Sequence, residues 1–143
     1  MSSRRFSTEN WTRPRAEVRH IVGLRWELRG SSAAFEGPHL IASKHQSSWE
    51  TMAYTVLFDD AAIVLKRELV WIPIVGWAMA RAGNITVARG DGSRALRGLV
   101  RQAQARIEAG RSILIFPEGT RVAVGAERPY QVGVAALYRQ LDV

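Results

Sequence analysis

His45 and Glu50 are the first residues of this sequence whose types suit acid–base chemistry. A histidine whose ring is held by a carboxylate is a common general base for taking the proton of a hydroxyl group. Each residue of an α-helix turns by ~100°, so two side chains five positions apart diverge if both lie on one helix. They can meet if His45 lies in a loop and Glu50 in the first helical turn. The alternative is purely structural, because Ser47-x-x-Glu50 has the spacing of a helix capping box.

The segment Phe116–Arg121, which reads F-P-E-G-T-R, is a second candidate. Gly119 allows backbone N–H groups to approach a ligand closely, and the planar guanidinium of Arg121 suits a phosphate group. An ordinary turn with a solvated arginine is the alternative. Gly83–Arg89, where a short strand pattern ends in an arginine beside a glycine, is a weaker candidate.

Short apolar runs alternate with longer helical patterns after Gly37, which predicts alternating strands and helices. The predicted strands are Leu40–Ala42, Ala61–Leu65, Ile85–Val87 and Ile113–Phe116. The predicted helices run from Ser47 or Ser48 to Phe58, from Leu69 to Ala82 with a stop at Gly83, from a cap at Asp91 or Ser93 to Gly110, and from Val132 to Leu141. This order indicates an α/β fold with an open, mostly parallel sheet and helices on both faces.

Ligands of such sheets bind beyond the carboxyl ends of the strands. A polar segment follows each predicted strand: Lys44–Glu50, Lys66–Glu68, Ala88–Asp91 and Pro117–Arg121. We therefore expect these four segments to share one edge of the sheet.

Composition narrows the classes of protein. The chain of 143 residues is 47% hydrophobic and 23% charged, which suits one small folded domain. The absence of cysteine excludes disulfides, thiolate metal sites and cysteine nucleophiles, and three histidines disfavour a zinc site built from several of them. No stretch approaches the ~20 apolar residues of a membrane-spanning helix.

The net charge of +7 calls for an anionic partner, such as nucleic acid, a phosphorylated metabolite or an anionic membrane. Residues 1–30 contain seven arginines against three glutamates, although genomic codon bias equally explains part of the arginine excess. We interpret residues 1–30 as a basic arm with a possible membrane-contacting segment.

Taken in order, these segments resemble the PlsC-type glycerolipid acyltransferases, the 1-acyl-sn-glycerol-3-phosphate acyltransferases. The histidine block K-H-Q-S-S-W-E supplies His45 and Glu50, Gly83–Arg89 loosely matches the second block, and Phe116–Arg121 matches F-P-E-G-T-R in full. The apolar segment between the first two blocks also looks like that of the family. The resemblance covers roughly residues 37–140.

The resemblance implies acyl transfer from a thioester donor, acyl-CoA or acyl carrier protein, to the sn-2 hydroxyl of lysophosphatidic acid, giving phosphatidic acid. His45 would take the hydroxyl proton and Glu50 would orient its ring. No metal or other cofactor is implied, and the protein would bind the cytoplasmic face of a membrane peripherally. The implied substrate-binding residues are Lys66, Arg89, Glu118, Gly119, Thr120 and Arg121.

The sequence departs from the family pattern in two places. Glu50 stands where the family has aspartate, and its extra methylene moves the carboxylate by ~1.5 Å, which a helix shift or another rotamer can absorb. Family members also continue beyond the final helix into a further strand with a Pro-Val-type block, whereas this sequence ends at Val143. We therefore expect residues 31–143 to be a partial acyltransferase domain.

Two other functions compete with catalysis. A non-catalytic remnant of the same fold would bind anionic lipid or phosphate without turnover. A nucleic-acid-binding domain is suggested by the charge alone, and the aromatic residues, 8% of the chain, are not interleaved with basic ones as stacking surfaces would be.

Overall fold

The computed structural model describes residues 37–58, 60–88, 92–141 and 143. The strands of this part are β1 Leu40–Ala42, β2 Ala62–Lys66, β3 Ile85–Val87 and β4 Ile113–Ile115. Its helices are α1 Trp49–Leu57, α2 Val75–Arg81, α3 Gly92–Glu108 and α4 Val132–Gln140, and a 3₁₀ helix, Arg67–Trp71, precedes α2.

The strands form one sheet in the order β1-β4-β2-β3, and every neighbouring pair is parallel. β4 lies inside the sheet, where Ile113 pairs with Leu40 of β1 and with Ala62 of β2. All three β4 residues are buried, as expected for an uninterrupted apolar run in a parallel sheet covered on both sides. The predicted open parallel sheet is confirmed.

Helices cover both faces of this sheet, as predicted. Because successive strand residues point to opposite faces, Ile113 packs with Leu99 of α3 and Leu137 of α4, while Leu114 packs on the other side. The partners of Leu114 on that side include Tyr54 of α1 and Met79 of α2. The sheet is therefore the middle layer of three.

The helix predicted over Leu69–Ala82 is wrong in its extent. The chain instead forms the 3₁₀ helix Arg67–Trp71, breaks, and enters α2 only at Val75. Pro73 is the cause, since a proline disfavours helical backbone at the preceding residue, and Ile72 is extended with φ −70° and ψ 120°.

A strained turn follows this break. Ile74 has φ 66° and ψ −65°, and the N–H of Val75 donates to the carbonyl oxygen of Pro73 at 2.7 Å, which makes a three-residue γ-turn. Positive φ is unfavourable for a β-branched residue.

The predicted helix stop is confirmed at Gly83, whose φ is 70°.

β3, the last strand of the described sheet, is bonded on its outer side by α3. The side-chain oxygen of Gln102 accepts the N–H of Thr86 at 3.3 Å, and its amide nitrogen donates to the Thr86 carbonyl at 3.2 Å. The amide of Gln102 therefore replaces a neighbouring strand at this position.

The predicted basic arm, residues 1–30, lies outside the described residues and stays a prediction.

Within the described ranges, every helix is too short or too polar to cross a lipid bilayer.

Candidate active site

The carboxyl ends of the parallel strands meet at one edge of the sheet and bring the predicted segments together. His45 follows β1, Lys66 ends β2, Ala88 follows β3 and Phe116 follows β4. All four residues line one cleft, whose volume is about 1190 Å³. The expectation of a shared edge is confirmed for the described residues of these segments, which in the third segment are limited to Ala88.

His45 and Glu50 form a direct pair. The distance between His45 Nδ1 and Glu50 Oε1 is 2.8 Å, and both side chains are largely buried. His45 lies in the loop after β1, whereas Glu50 lies in the first turn of α1, as the five-residue spacing requires. The glutamate therefore reaches the histidine in spite of its additional methylene group.

Glu50 also caps the helix. Its Oε1 accepts the backbone N–H groups of Gln46 and Ser47, each at 2.7 Å, and Ser47 Oγ donates to its Oε2. In return, the N–H of Trp49 donates to Ser47 Oγ at 3.0 Å. Both arrangements that the spacing allows are therefore present, because one carboxylate accepts hydrogen bonds from the backbone before α1 and also contacts the ring of His45.

These contacts keep Glu50 ionised. Partial burial raises the pKa of its carboxyl, but hydrogen bonds from the side chain and backbone of Ser47 and from His45 outweigh burial and lower the pKa from 4.5 to about 2. An ionised carboxylate only accepts hydrogen bonds. Nδ1 of His45 therefore carries a proton, and Nε2 is the nitrogen that can take another.

The F-P-E-G-T-R segment holds His45 from other directions. The ring of Phe116 stacks on the His45 ring, with centroids 4.1 Å apart and an interplanar angle of 22°. The N–H of His45 donates to Glu118 Oε2 at 3.4 Å, and the His45 carbonyl accepts the N–H of Val122 at 2.8 Å. The histidine loop and the F-P-E-G-T-R loop thus form one connected unit.

Glu118 is buried, with 2% of its surface exposed, and Lys44 Nζ lies 3.5 Å from its Oε1. Sequence reasoning placed Glu118 among the substrate-binding residues, whereas its carboxylate here contacts Lys44 and the His45 backbone. Lys44 and Phe116 lie in segments that the sequence pointed to, but their contacts with Glu118 and with the His45 ring were not predicted. The position of Lys44 directly before His45, as one of only two lysines in the chain, is the signal that could have identified it.

The predicted binding residues of the described part all line the cleft: Lys66, Glu118, Gly119, Thr120 and Arg121. Gly119 has φ 67°, and a Cβ there would lie 3.1 Å from Cγ of Gln131, so this turn requires a glycine. Arg121 is exposed at the rim. Arg89 lies outside the described residues.

The cleft combines cationic and apolar walls. Lys66, Arg121 and Arg128 contribute positive charge, and residues such as Met52 and Leu69 contribute apolar surface. Across the described residues, no group of three or more His, Cys, Asp or Glu side chains is arranged to hold a metal ion. An amphiphilic anion, with a charged head and an apolar tail, matches these walls.

Comparison with known proteins points in the same direction. The family model described as Acyltransferase matches residues 17–143. The 1-acyl-sn-glycerol-3-phosphate acyltransferase of Pseudomonas aeruginosa is 40% identical over 134 residues, which cover 93% of this chain and 52% of that protein. The alpha form of the same enzyme from Mus musculus is 30% identical over 128 residues, covering 88% of this chain and 45% of that protein. The chain spans about half the length of these curated relatives.

A solved structure shares the fold. The 1-acyl-sn-glycerophosphate (LPA) acyltransferase, PlsC, from Thermotoga maritima superposes with a TM-score of 0.59 at 22% sequence identity. The match covers 78% of this chain and 44% of that one.

Proposed function

The chain belongs to the acyltransferase family, and on that premise we propose that it transfers a fatty acyl group from a thioester to the sn-2 hydroxyl of lysophosphatidic acid, giving phosphatidic acid. Its relatives from Pseudomonas aeruginosa and Mus musculus carry the name of this activity. The observation that carries the proposal is the His45–Glu50 pair, 2.8 Å apart, in a cleft that also contains the F-P-E-G-T-R segment.

Nε2 of His45 accepts the proton of the sn-2 hydroxyl as its oxygen attacks the thioester carbonyl carbon. The new C–O bond forms while the carbonyl π electrons move onto oxygen. Glu50, which stays ionised, accepts the hydrogen bond from Nδ1–H and stabilises the imidazolium cation that results. The stacked ring of Phe116 keeps the imidazole in one orientation during this step.

Collapse of the tetrahedral intermediate completes the transfer. The carbonyl re-forms, the C–S bond breaks, and the departing sulfur takes the proton from Nε2 of His45. The products are phosphatidic acid and a free thiol, and His45 returns to its neutral state. Acyl-CoA or acyl carrier protein acts in this proposal as a co-substrate rather than as a resident cofactor.

Arg121 and Lys66 bind the acceptor phosphate in this proposal, and Arg89 assists them. Support comes from the place of Arg121 and Lys66 in the lining of the cleft that His45 also lines. A guanidinium can bind two phosphate oxygens at once, whereas an ammonium acts as a point charge. Since the acceptor is a lysolipid, the protein works at a membrane surface, for which we propose the cytoplasmic face.

The test is thiol release from an acyl thioester in the presence of lysophosphatidic acid, with phosphatidic acid quantified in parallel. We expect His45→Ala to lower kcat about 100-fold or more, since general-base catalysis contributes at least that much. His39→Asn is the matched control. His39 precedes β1, at the opposite end of that strand from His45, and it bonds Ser112 through its backbone N–H, which the substitution keeps.

Equal rates for the wild type and His45→Ala would remove the catalytic assignment. A wild type that binds anionic vesicles but shows no transfer would instead identify a lipid-binding remnant of the fold.

A further inference from the structure

Large apolar side chains are exposed together in the segment between the 3₁₀ helix and α2. Trp71 is 78% exposed, Ile74 77% and Trp77 64%, while Ile72 and Val75 are about half exposed. Singly exposed apolar residues are ordinary, but five among seven consecutive residues form a patch of the kind that marks an interaction site. We call these five residues the Trp71–Trp77 patch.

The two backbone segments that carry this patch, the 3₁₀ helix and α2, approach each other closely. Gly76 is buried, and a Cβ added there would lie 2.6 Å from the carbonyl oxygen of Val70, so the first turn of α2 packs directly on the 3₁₀ helix. The γ-turn at Ile74 keeps an isoleucine at positive φ, where glycine would remove the strain. Residues strained in this way are concentrated at functional sites.

The patch continues into the cleft. Ile72 and Val75 belong to both, and the exposed Met52 of α1 also lines the cleft. The patch and the cleft therefore share apolar surface at Ile72 and Val75. The acceptor of the proposed reaction also has apolar surface, since its acyl chain resides in a lipid layer.

The tryptophans of the Trp71–Trp77 patch and the basic residues near it in sequence indicate which partner the patch would bind. Lys66, Arg67 and Arg81 flank the patch, and Glu68 is the one acidic residue between positions 66 and 81. Tryptophan is enriched at the boundary between lipid headgroups and acyl chains, where basic residues also meet anionic headgroups. The chain as a whole carries a charge of +7.

We propose that the Trp71–Trp77 patch inserts into the surface of an anionic lipid bilayer, so that the cleft opens onto the lipid layer. This inference rests on the proposed function for the identity of the lipid that enters. It assigns membrane contact to a surface of the folded domain, in addition to the arm predicted over residues 1–30.

The experiment measures partition of the full chain onto vesicles of phosphatidylcholine and phosphatidylglycerol by co-sedimentation. We expect Trp71→Ser/Trp77→Ser to weaken partition about tenfold, because two indole rings no longer leave water. The matched control is Tyr130→Ser/Tyr138→Ser, which removes two aromatic rings that are also exposed, at 62% and 79%. The control should partition like the wild type.

Unchanged partition of the tryptophan variant would overturn the proposal. So would a loss of self-association in sedimentation velocity with vesicle binding intact, because the patch would then be an interface between copies of the chain. Circular dichroism confirms that each variant is folded.

A second readout separates this proposal from the proposed function. With a short-chain, water-soluble lysophosphatidate, Trp71→Ser/Trp77→Ser should keep wild-type turnover, whereas with a long-chain acceptor in vesicles it should lose most of it. A wild type that binds vesicles through the patch without any acyl transfer would refute the proposed function alone.

Discussion

At the scale of single residues, Glu50 has two tasks that are usually assigned to different side chains. Its carboxylate accepts the two backbone N–H groups that precede α1, and it also holds the His45 ring. The five-residue spacing allowed the pair without requiring it, because a loop histidine and a first-turn carboxylate are local neighbours. That one carboxylate both caps α1 and holds the His45 ring was not predictable, since each role explains the spacing on its own.

The lowered pKa of Glu50 predicts a specific dependence of stability on pH. Because the pKa falls from 4.5 to about 2 on folding, the stabilisation from ionised Glu50 is fully present above pH 4.5 and is lost as the pH falls toward 2. Urea unfolding of the wild type and Glu50→Gln should therefore give free energies of unfolding whose difference narrows as the pH falls from 4.5 to 2. Glu68→Gln, at an exposed acid, is the control; parallel curves for Glu50→Gln would contradict the prediction.

Lys44 and Glu118 give a second prediction at this scale. Lys44→Met leaves a buried carboxylate without its cation, and we expect a loss of about 1–2 kcal/mol in unfolding free energy, less than for a fully buried pair because Lys44 is half exposed. Adding Glu118→Gln should recover part of that loss, since the amide can still accept the N–H of His45. A double-mutant cycle by urea unfolding measures the coupling. Additive losses would contradict a paired role.

At the scale of elements, the strands were well predicted and one helix was not. Leu40–Ala42 and Ile85–Val87 form strands with the predicted bounds, because short apolar runs between turn residues have few alternatives. The helical pattern over Leu69–Ala82 is genuine, but periodicity carries no information about the backbone that Pro73 imposes. The contact of Glu118 with the His45 loop was also beyond local sequence patterns. It joins residues 73 positions apart and depends on the pairing of β1 with β4.

The γ-turn gives a prediction for its element. Ile74→Gly removes the strain of positive φ at a side chain that buries little surface, so we expect unfolding free energy to rise by about 1 kcal/mol, net of the entropy that glycine loses. Val75→Gly is the matched control, because Val75 has no positive φ, and it should lower stability by about 1 kcal/mol. Urea denaturation measures the unfolding free energy of both variants. A lower value for Ile74→Gly than for the wild type would show that the turn is unstrained.

At the scale of the whole molecule, the parallel sheet explains why residues distant in sequence share one cleft. All four strands run in the same direction, so every segment that leaves a carboxyl end reaches the same edge. His45, Lys66 and the F-P-E-G-T-R loop are close together for this reason. The fold class therefore predicted the position of the cleft, whereas the contacts of Phe116 and Lys44 within it join segments that are distant in sequence and follow no local pattern.

The side chain of Gln102 has a consequence for how the molecule behaves in a crowded solution. An unpaired strand at the end of a sheet is a template on which another chain can add a strand and begin an aggregate. Here the N–H and carbonyl of Thr86 are already bonded by Gln102, so an incoming strand finds no free backbone group at that residue. We therefore expect the amide of Gln102 to disfavour the addition of another strand to β3.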